Sequence, residues 1–343
     1  MPPGQAQPPQ PRRAHLDGLA RLIWPLAGLA LLLAFNYFFT EGFFRIEVRD
    51  GHLYGIGIDI LNHGAKVMLL ALGMTLVIAT GGVDLSVGAV MAISGAVAAQ
   101  LVNAAGVPFP AVIAAALGVA VLAGAWNGLL VAGLRVQPIV ATLILMVAGR
   151  GVAQLITDGQ IITFTDARLV YVGNGHLLGL PFPVMIVAAM LAVTALLTRR
   201  TALGLFIESV GDNETASYYA GVSSRTVKFL AYVFSGLCAG MAGLVAASNI
   251  RCADSNHAGL FLELDAILAV VVGGTALTGG RFTLVGSIVG ALLIQTLTTT
   301  MYARNVSADV APVPKALVIV AVCLLQAPAL RRKLSMLLGR GAA

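Results

Sequence analysis

The chain has 343 residues, of which 58% are hydrophobic and 10% charged; a soluble domain carries roughly a quarter charged residues, so a soluble fold could not hide this much apolar surface. Aromatic residues make up only 6% and glycine occupies 39 positions, a composition suited to closely packed helices and unsuited to a barrel of alternating strands. The net charge of +6 would point to nucleic acid only if the basic residues shared one exposed face; here they sit between apolar runs, which excludes that class of partner.

The N-terminal stretch is rich in Pro and Gln as far as Pro11, and residues 1–21 read as a disordered segment. Arg12, Arg13 and Arg21 then flank an apolar run from Leu22 to Phe39. That run is longer than the apolar core of a cleaved signal peptide, about 7 to 15 residues, and ends in large aromatics, so it is read as a retained first span. Further apolar runs fall near 59–80, 86–104, 110–133, 138–157, 181–198, 226–249, 262–279, 283–302 and 313–330. A helix crossing takes about 20 apolar residues, so the pattern predicts an all-α integral membrane protein of about ten helices, one domain from 22 to 330 and a tail at 331–343.

Orientation follows from the tendency of short cytoplasmic loops to hold Lys and Arg. With the N-terminus inside, one side carries Arg12, Arg13, Arg21, Arg135, Arg199, Arg200, Arg225, Lys228, Arg281, Arg331, Arg332, Lys333 and Arg340, 13 of the 21 basic residues; the other carries 5, Arg45, Arg49, Arg168, Arg251 and Arg304. Both termini and residues 199–225 are expected in the cytoplasm.

Two connections are long. Residues 158–180, with Asp166, Tyr171, Gly173 and Gly175, are polar enough to meet something outside. Residues 199–225 are too polar to span, yet Ala216, Tyr219 and Ala220 recur at helical spacing and Asn213 stands as an N-cap ahead of Glu214. One or two short helices at the membrane surface are predicted there. An amphipathic helix resting on lipid headgroups is the alternative. A weak internal echo aligns the segment starting at Gly81 with that starting at Gly279, sharing a Gly pair and Gly88 with Gly286; the span count makes the two parallel.

Ionisable residues at membrane depth are costly and therefore candidates for function. Asp84 lies between Gly81-Gly82 and Gly88, where its carboxylate could face a cavity beside a broken helix or cap the next helix with Ser86. Arg150 and Gln154 are one turn apart on one face of the fifth span, which also holds Thr142. They could line a path for a polyol or form an interhelical hydrogen-bonding cluster. Asn127 and Gln295 read as interhelical, with Gln295 a further path candidate. Glu263 and Asp265 sit at the outer start of the eighth span as caps or contacts. The chain contains no Gly-Lys pair, hence no P-loop, and no His-Glu-x-x-His or Gly-x-Ser-x-Gly; Cys238, Cys252 and Cys323 have no metal-ligand spacing. Neither a metal nor a catalytic site is expected.

Four stretches, MTLVIATGGVDLSVGAVMAISGA (74–96), WNGLLVAGLRVQPIVATLILMVAGRGVAQLITDGQ (126–160), TALGLFIESVGDNETASYYAGVSSRTVKFLAYVFSGLCAGMAGL (201–244) and LELDAILAVVVGGTALTGGRFTLVGSIVGALL (262–293), resemble in order and spacing the permease subunits of bacterial sugar ATP-binding-cassette importers of the ribose and galactose type, most closely the galactofuranose branch. The likeness implies a type II-like permease in the inner membrane with no cofactor of its own, ATP being bound by a cytoplasmic ATPase. It also implies a periplasmic sugar-binding protein and a second permease, identical or paralogous, beside the lipid bilayer. Glu208, Gly211, Asp212, Asn213, Ala216 and Gly221 match that family's coupling region, where small Gly211 and Ala216 would let a short helix sit in a groove of the ATPase. The Pro-rich N-terminus, Asp212 and Glu214 depart from the family pattern. The rival readings are an ion-driven secondary transporter, which would need an intramembrane ion site, and a membrane-embedded enzyme or scaffold, which would need a nucleophile, base or metal.

Overall fold

The computed structural model describes residues 11–49, 51–307, 310, 313–317 and 320. The first helix, α1 (Pro11–Phe39), starts earlier than expected: residues 11–21 are helical, and only 1–10 of the predicted disordered segment lie outside the described residues. A hairpin, β1 (Glu47–Arg49) and β2 (His52–Tyr54), leads into α2 (Ile56–Ala79). Then follow α3 (Val87–Asn103), α4 (Phe109–Gly128), extended by a π-helical turn over Leu129–Gly133, and α5 (Pro138–Ile156). The long outer connection holds β3 (Ile162–Thr163), α6 (Ala167–Asn174), β4 (His176–Leu177) and β5 (Leu180–Pro181), ahead of α7 (Phe182–Arg200). Two short helices, α8 (Leu203–Asp212) and α9 (Glu214–Tyr219), precede α10 (Ser224–Ile250), β6 (Cys252–Ala253), α11 (Leu262–Val272) and α12 (Leu284–Ala303). Of the tenth predicted span, residues 313–317 and 320 are helical; the remainder and the tail 331–343 lie outside the described residues.

Seven described helices are long and apolar enough to cross a membrane, and α3, at 17 residues, falls just short. The eighth predicted span is different. It was expected over 262–279, but α11 has 11 residues, only ~16 Å of helix against the ~30 Å of a hydrocarbon core. Residues 273–283 form turns instead.

α10 is the central mast, packed against α2, α3 and α4. Small residues permit the contacts: a Cβ at Gly236 would meet the backbone of Ala120 and Gly124, the close approach by which membrane helices gain dispersion energy without a hydrophobic drive. Interhelical hydrogen bonds add to it, from Asn36 Nδ2 to Thr300 Oγ1 at 2.7 Å between α1 and α12, and from Thr75 Oγ1 to Ser287 Oγ at 2.7 Å between α2 and α12. Lys315 Nζ donates to both carboxylate oxygens of Asp265, at 3.1 and 2.9 Å. This ion pair holds residues 313–317 against α11.

The connections sort into two ends. Residues 80–86, 129–138, 200–224 and 273–283 share one end, which also carries Arg135, Arg199, Arg200, Arg225, Lys228 and Arg281; it is called the basic end below. Gly81 and Gly279, the first glycines of the internal echo, meet there, and α3 and α12 leave this end in parallel, as the span count predicts.

Candidate functional site

The α2–α3 connection does not run around the outside of the bundle. α2 stops at Ala79; Thr80 turns its hydroxyl back to the Val77 carbonyl at 2.8 Å, and Gly81 adopts φ +81°, a left-handed conformation that costs glycine little. Asp84 is thereby carried inward until it is 1% exposed. Its Oδ1 accepts the Ser86 amide at 3.0 Å, the Ser86 hydroxyl at 2.6 Å and Asn127 Nδ2 at 3.4 Å; its Oδ2 accepts the Ser235 hydroxyl at 2.8 Å. Asn127 Nδ2 also donates to Ser86 Oγ at 2.8 Å, and the Tyr232 hydroxyl donates to the Val83 carbonyl at 3.3 Å. Thr142, fully buried on α5, donates to the Pro138 carbonyl at 3.0 Å and, weakly, to that of Val83 at 3.5 Å.

Asp84, Asn127 and Thr142 are therefore brought together around the start of α3, where they tie α4, α5 and α10 to one turn. A carboxylate at this depth is tolerable because each oxygen has donors, and Asp84 closes the turn ahead of α3 by accepting the Ser86 amide two residues on. Gln295 is elsewhere: its side chain packs on Gly64 and donates to Thr299 Oγ1 at 3.3 Å.

Arg150 and Gln154 point at a segment that sequence reasoning treated as a loop. Beyond β6, which pairs with β3, residues 254–261 turn back into the bundle. Gly259 comes into backbone contact with Gly88 near the start of α3. The register of α3 on α10, with Asp84 at Ser235, Met91 at Gly243 and Gly95 at Ala247, sets Gly88 level with the middle of α10. α11 thus begins near mid-depth. Glu263, expected at the outer start of a span, is instead a buried first-turn residue beside Gly88. One nitrogen of Arg150, Nη1, donates to the carbonyls of Ser255 at 3.1 Å and Ala258 at 2.5 Å, and Gln154 Nε2 donates to Asn256 Oδ1 at 2.8 Å.

At the basic end, α8 and α9 form as predicted. Asn213 caps α9, its Oδ1 accepting the Ala216 amide at 2.9 Å, and Lys228 Nζ holds Glu214 at 2.6 Å. Gly211 faces inward: a Cβ there would run into the Ala79 carbonyl and the Gly280 amide, which are hydrogen-bonded to each other at 3.0 Å. Gly211 itself is half-buried, and this contact packs α8 against the end of α2. Asp212 packs its backbone on Gly280. Glu208, Asn213 and Ala216 are exposed, with Tyr218 and Tyr219 exposed by 71% and 84%.

Gly221, at φ +84°, ends α9. It lines a cavity of about 1020 Å³ between α9, the start of α10 and the α4–α5 turn, whose rim carries Arg135, Gln137, Arg225 and Lys228. That the α4–α5 turn forms the second wall is not legible in the sequence. Pro138 following Gln137 announces a helix start there, but nothing local tells that Arg135 will face α9.

On the opposite end, Asp166 caps α6, accepting the amides of Arg168 at 2.9 Å and Leu169 at 3.2 Å. The Arg168 side chain, 2.8 Å away, together with these amides holds its carboxyl below the usual carboxylate range.

Residues 57–326 match the family model described as branched-chain amino acid transport system / permease component. The chain is 54% identical over 311 residues to the galactofuranose transporter permease protein YtfT of Escherichia coli, covering 89% of this chain and 91% of that protein. It is 40% identical to the fructose import permease protein FruF of Bifidobacterium longum, covering 90% and 88%, and 37% identical to the ribose import permease protein RbsC of Haemophilus influenzae, covering 78% and 83%. No solved structure matches.

Proposed function

Because the chain belongs to the family of branched-chain amino acid transport system permease components, we propose that it carries a monosaccharide, galactofuranose being the candidate, across the inner membrane as the permease subunit of an ATP-binding-cassette importer. The permease breaks no covalent bond; a separate cytoplasmic ATPase binds and hydrolyses ATP. A periplasmic binding protein delivers the sugar to the end bearing residues 158–180, and a second permease, copy or paralogue, completes the path. Both termini and the basic end face the cytoplasm, in keeping with the 13 to 5 distribution of basic residues.

The observation that carries the mechanism is the contact of α8 with the bundle. The exposed side of α8–α9, with Glu208, Asn213, Ala216, Tyr218 and Tyr219, is a docking surface for the ATPase, and the cavity beside it admits part of that partner. A displacement of α9 passes through Gly211 to Ala79, and from there along the Gly81–Ser86 turn to Asp84, which grips Asn127 on α4 and Ser235 on α10. Packed contacts of this kind move as rigid bodies rather than deforming continuously. An ion-driven carrier would need oxygen ligands free for a cation, whereas the Asp84 oxygens already hold Ser and Asn donors.

The test is uptake of labelled galactose, fructose and ribose into proteoliposomes. Uptake that requires ATP, the ATPase and the binding protein supports the proposal; uptake driven by an ion gradient without them overturns it.

A further inference from the structure

Arg150, which the sequence offers as a lining residue of the sugar path, has its Nη1 committed to backbone: to the carbonyls of Ser255 and Ala258. The same face of α5 adds three further ties to one segment. Gln154 Nε2 donates to Asn256 Oδ1 at 2.8 Å, the Thr157 hydroxyl donates to Ser255 Oγ at 3.0 Å, and Ser255 Oγ donates to the Ala153 carbonyl at 3.0 Å. The segment is bracketed by Arg251 at φ 54° and Phe261 at φ 63°, two non-glycine residues in the left-handed region, a conformation that persists only where surrounding contacts hold it. At its inner tip Gly259 meets Gly88 so closely that a Cβ on either would enter the other's backbone.

We infer that Arg150 is a positioning residue: with Gln154 and Thr157 it latches the re-entrant segment 254–261, and through it the start of the half-helix α11, onto α5, so that these parts move as one body in the transport cycle. An irregular segment at this depth requires its carbonyls to be satisfied by protein, and the two hydrogens of one Arg150 nitrogen satisfy two of them. The inference rests on the transport reading only for what the latch moves during; the latch itself is a property of the isolated chain.

Two measurements test it. In the purified chain without partners, amide exchange over 252–261 is compared for wild type, Arg150→Gln and Thr157→Val. The expected result is exchange at least tenfold faster in this segment for Arg150→Gln, with a smaller local rise for Thr157→Val, whose loss of one hydroxyl leaves the fold intact. Unchanged exchange in the segment for both variants overturns the latch, whatever the protein transports.

For transport, Thr157→Cys and Ser255→Cys are introduced where the two hydroxyls now touch, in a background with Cys238→Ala, Cys252→Ser and Cys323→Ser. Uptake of labelled galactose should fall at least fivefold in Arg150→Gln with the pair reduced. It should return to within twofold of the equally oxidised Arg150 protein once the disulfide forms. An oxidised Arg150→Gln protein that stays inactive while its Arg150 counterpart transports would show that the guanidinium acts on the solute and not on the segment. No uptake by wild type would fall on the transport reading alone, and the exchange result would still decide the latch.

Discussion

Replacing Gly211 with alanine adds one methyl group at a point where the structure has no room for it. The new Cβ would fall against the Ala79 carbonyl and the Gly280 amide, and these two groups are hydrogen-bonded to each other at 3.0 Å. Neither neighbour is a flexible side-chain end that could swing away; both are backbone at helix and loop termini. Two costs follow. Overpacking of a well-filled contact is worth about 1–3 kcal/mol, and prising apart a backbone hydrogen bond adds about 1 kcal/mol, so Gly211→Ala should destabilise the isolated permease by about 2–4 kcal/mol. Ala216→Trp provides the contrast, because Ala216 is exposed and its side chain has no such backbone to displace.

Reversible unfolding in mixed detergent would be followed for both variants, together with co-purification of the ATPase. Gly211→Ala should lose stability before any partner is added. Ala216→Trp should keep its stability and lose ATPase binding or sugar-stimulated hydrolysis. A Gly211→Ala protein within about 0.5 kcal/mol of wild type, the usual range for a surface change, would refute the weld between α8 and α2. Unchanged ATPase binding by Ala216→Trp would refute the docking surface and favour a helix lying on lipid.

Asp84→Ala removes the acceptor of the Ser86 and Ser235 hydroxyls and of the longer Asn127 contact; with two of these bonds interhelical, at roughly 0.6–1.7 kcal/mol each, it should cost about 1–3 kcal/mol in the same unfolding assay, and Asp84→Asn, which keeps an acceptor, should cost less. Glutamate at both Arg135 and Arg225, on the rim of the basic-end cavity, should weaken ATPase co-purification with no loss of stability; equal recovery of the ATPase would remove the α4–α5 turn from the interface. A cysteine at the exposed Tyr219 should resist an impermeant thiol reagent in intact cells and react in inverted vesicles, and the reverse pattern would invert the topology. The cap of α6 supplies a pH dependence: because Asp166 sits below the usual carboxylate range, its contribution is complete above that range and is lost as pH falls through the lower, folded value. Amide protection over 167–174, relative to the unfolded rate at each pH, should therefore be full at neutral pH, decline from the ordinary carboxylate range downward and be lost below the folded value, and Asp166→Ala should show the reduced protection already at neutral pH.

Composition and apolar run lengths by themselves determined that this chain is a bundle of membrane helices. The solvent is the reason: burying a backbone in lipid demands internally satisfied hydrogen bonds, which leaves few architectures and makes each span visible as a run of apolar residues. Local chemistry was equally legible where partners lie within a few residues, as with Asn213, whose amide partner Ala216 is three positions away. The resemblance of the Gly-rich stretches to sugar importer permeases pointed to the family that the comparisons then showed. Three matters were decided only by the tertiary structure. The run over 262–279 is apolar enough to span, yet it divides into an 11-residue half-helix and turns, because an apolar run in a membrane protein is equally stable whether lipid or other helices surround it. Gly211 and Ala216 look alike in sequence as small residues on short helices, but one meets the backbone of Ala79 and Gly280 and the other meets solvent. Arg150 and Ser255 are separated by 105 positions, and no periodicity in the chain encodes which carbonyl a guanidinium will reach once β6 has turned the segment inward.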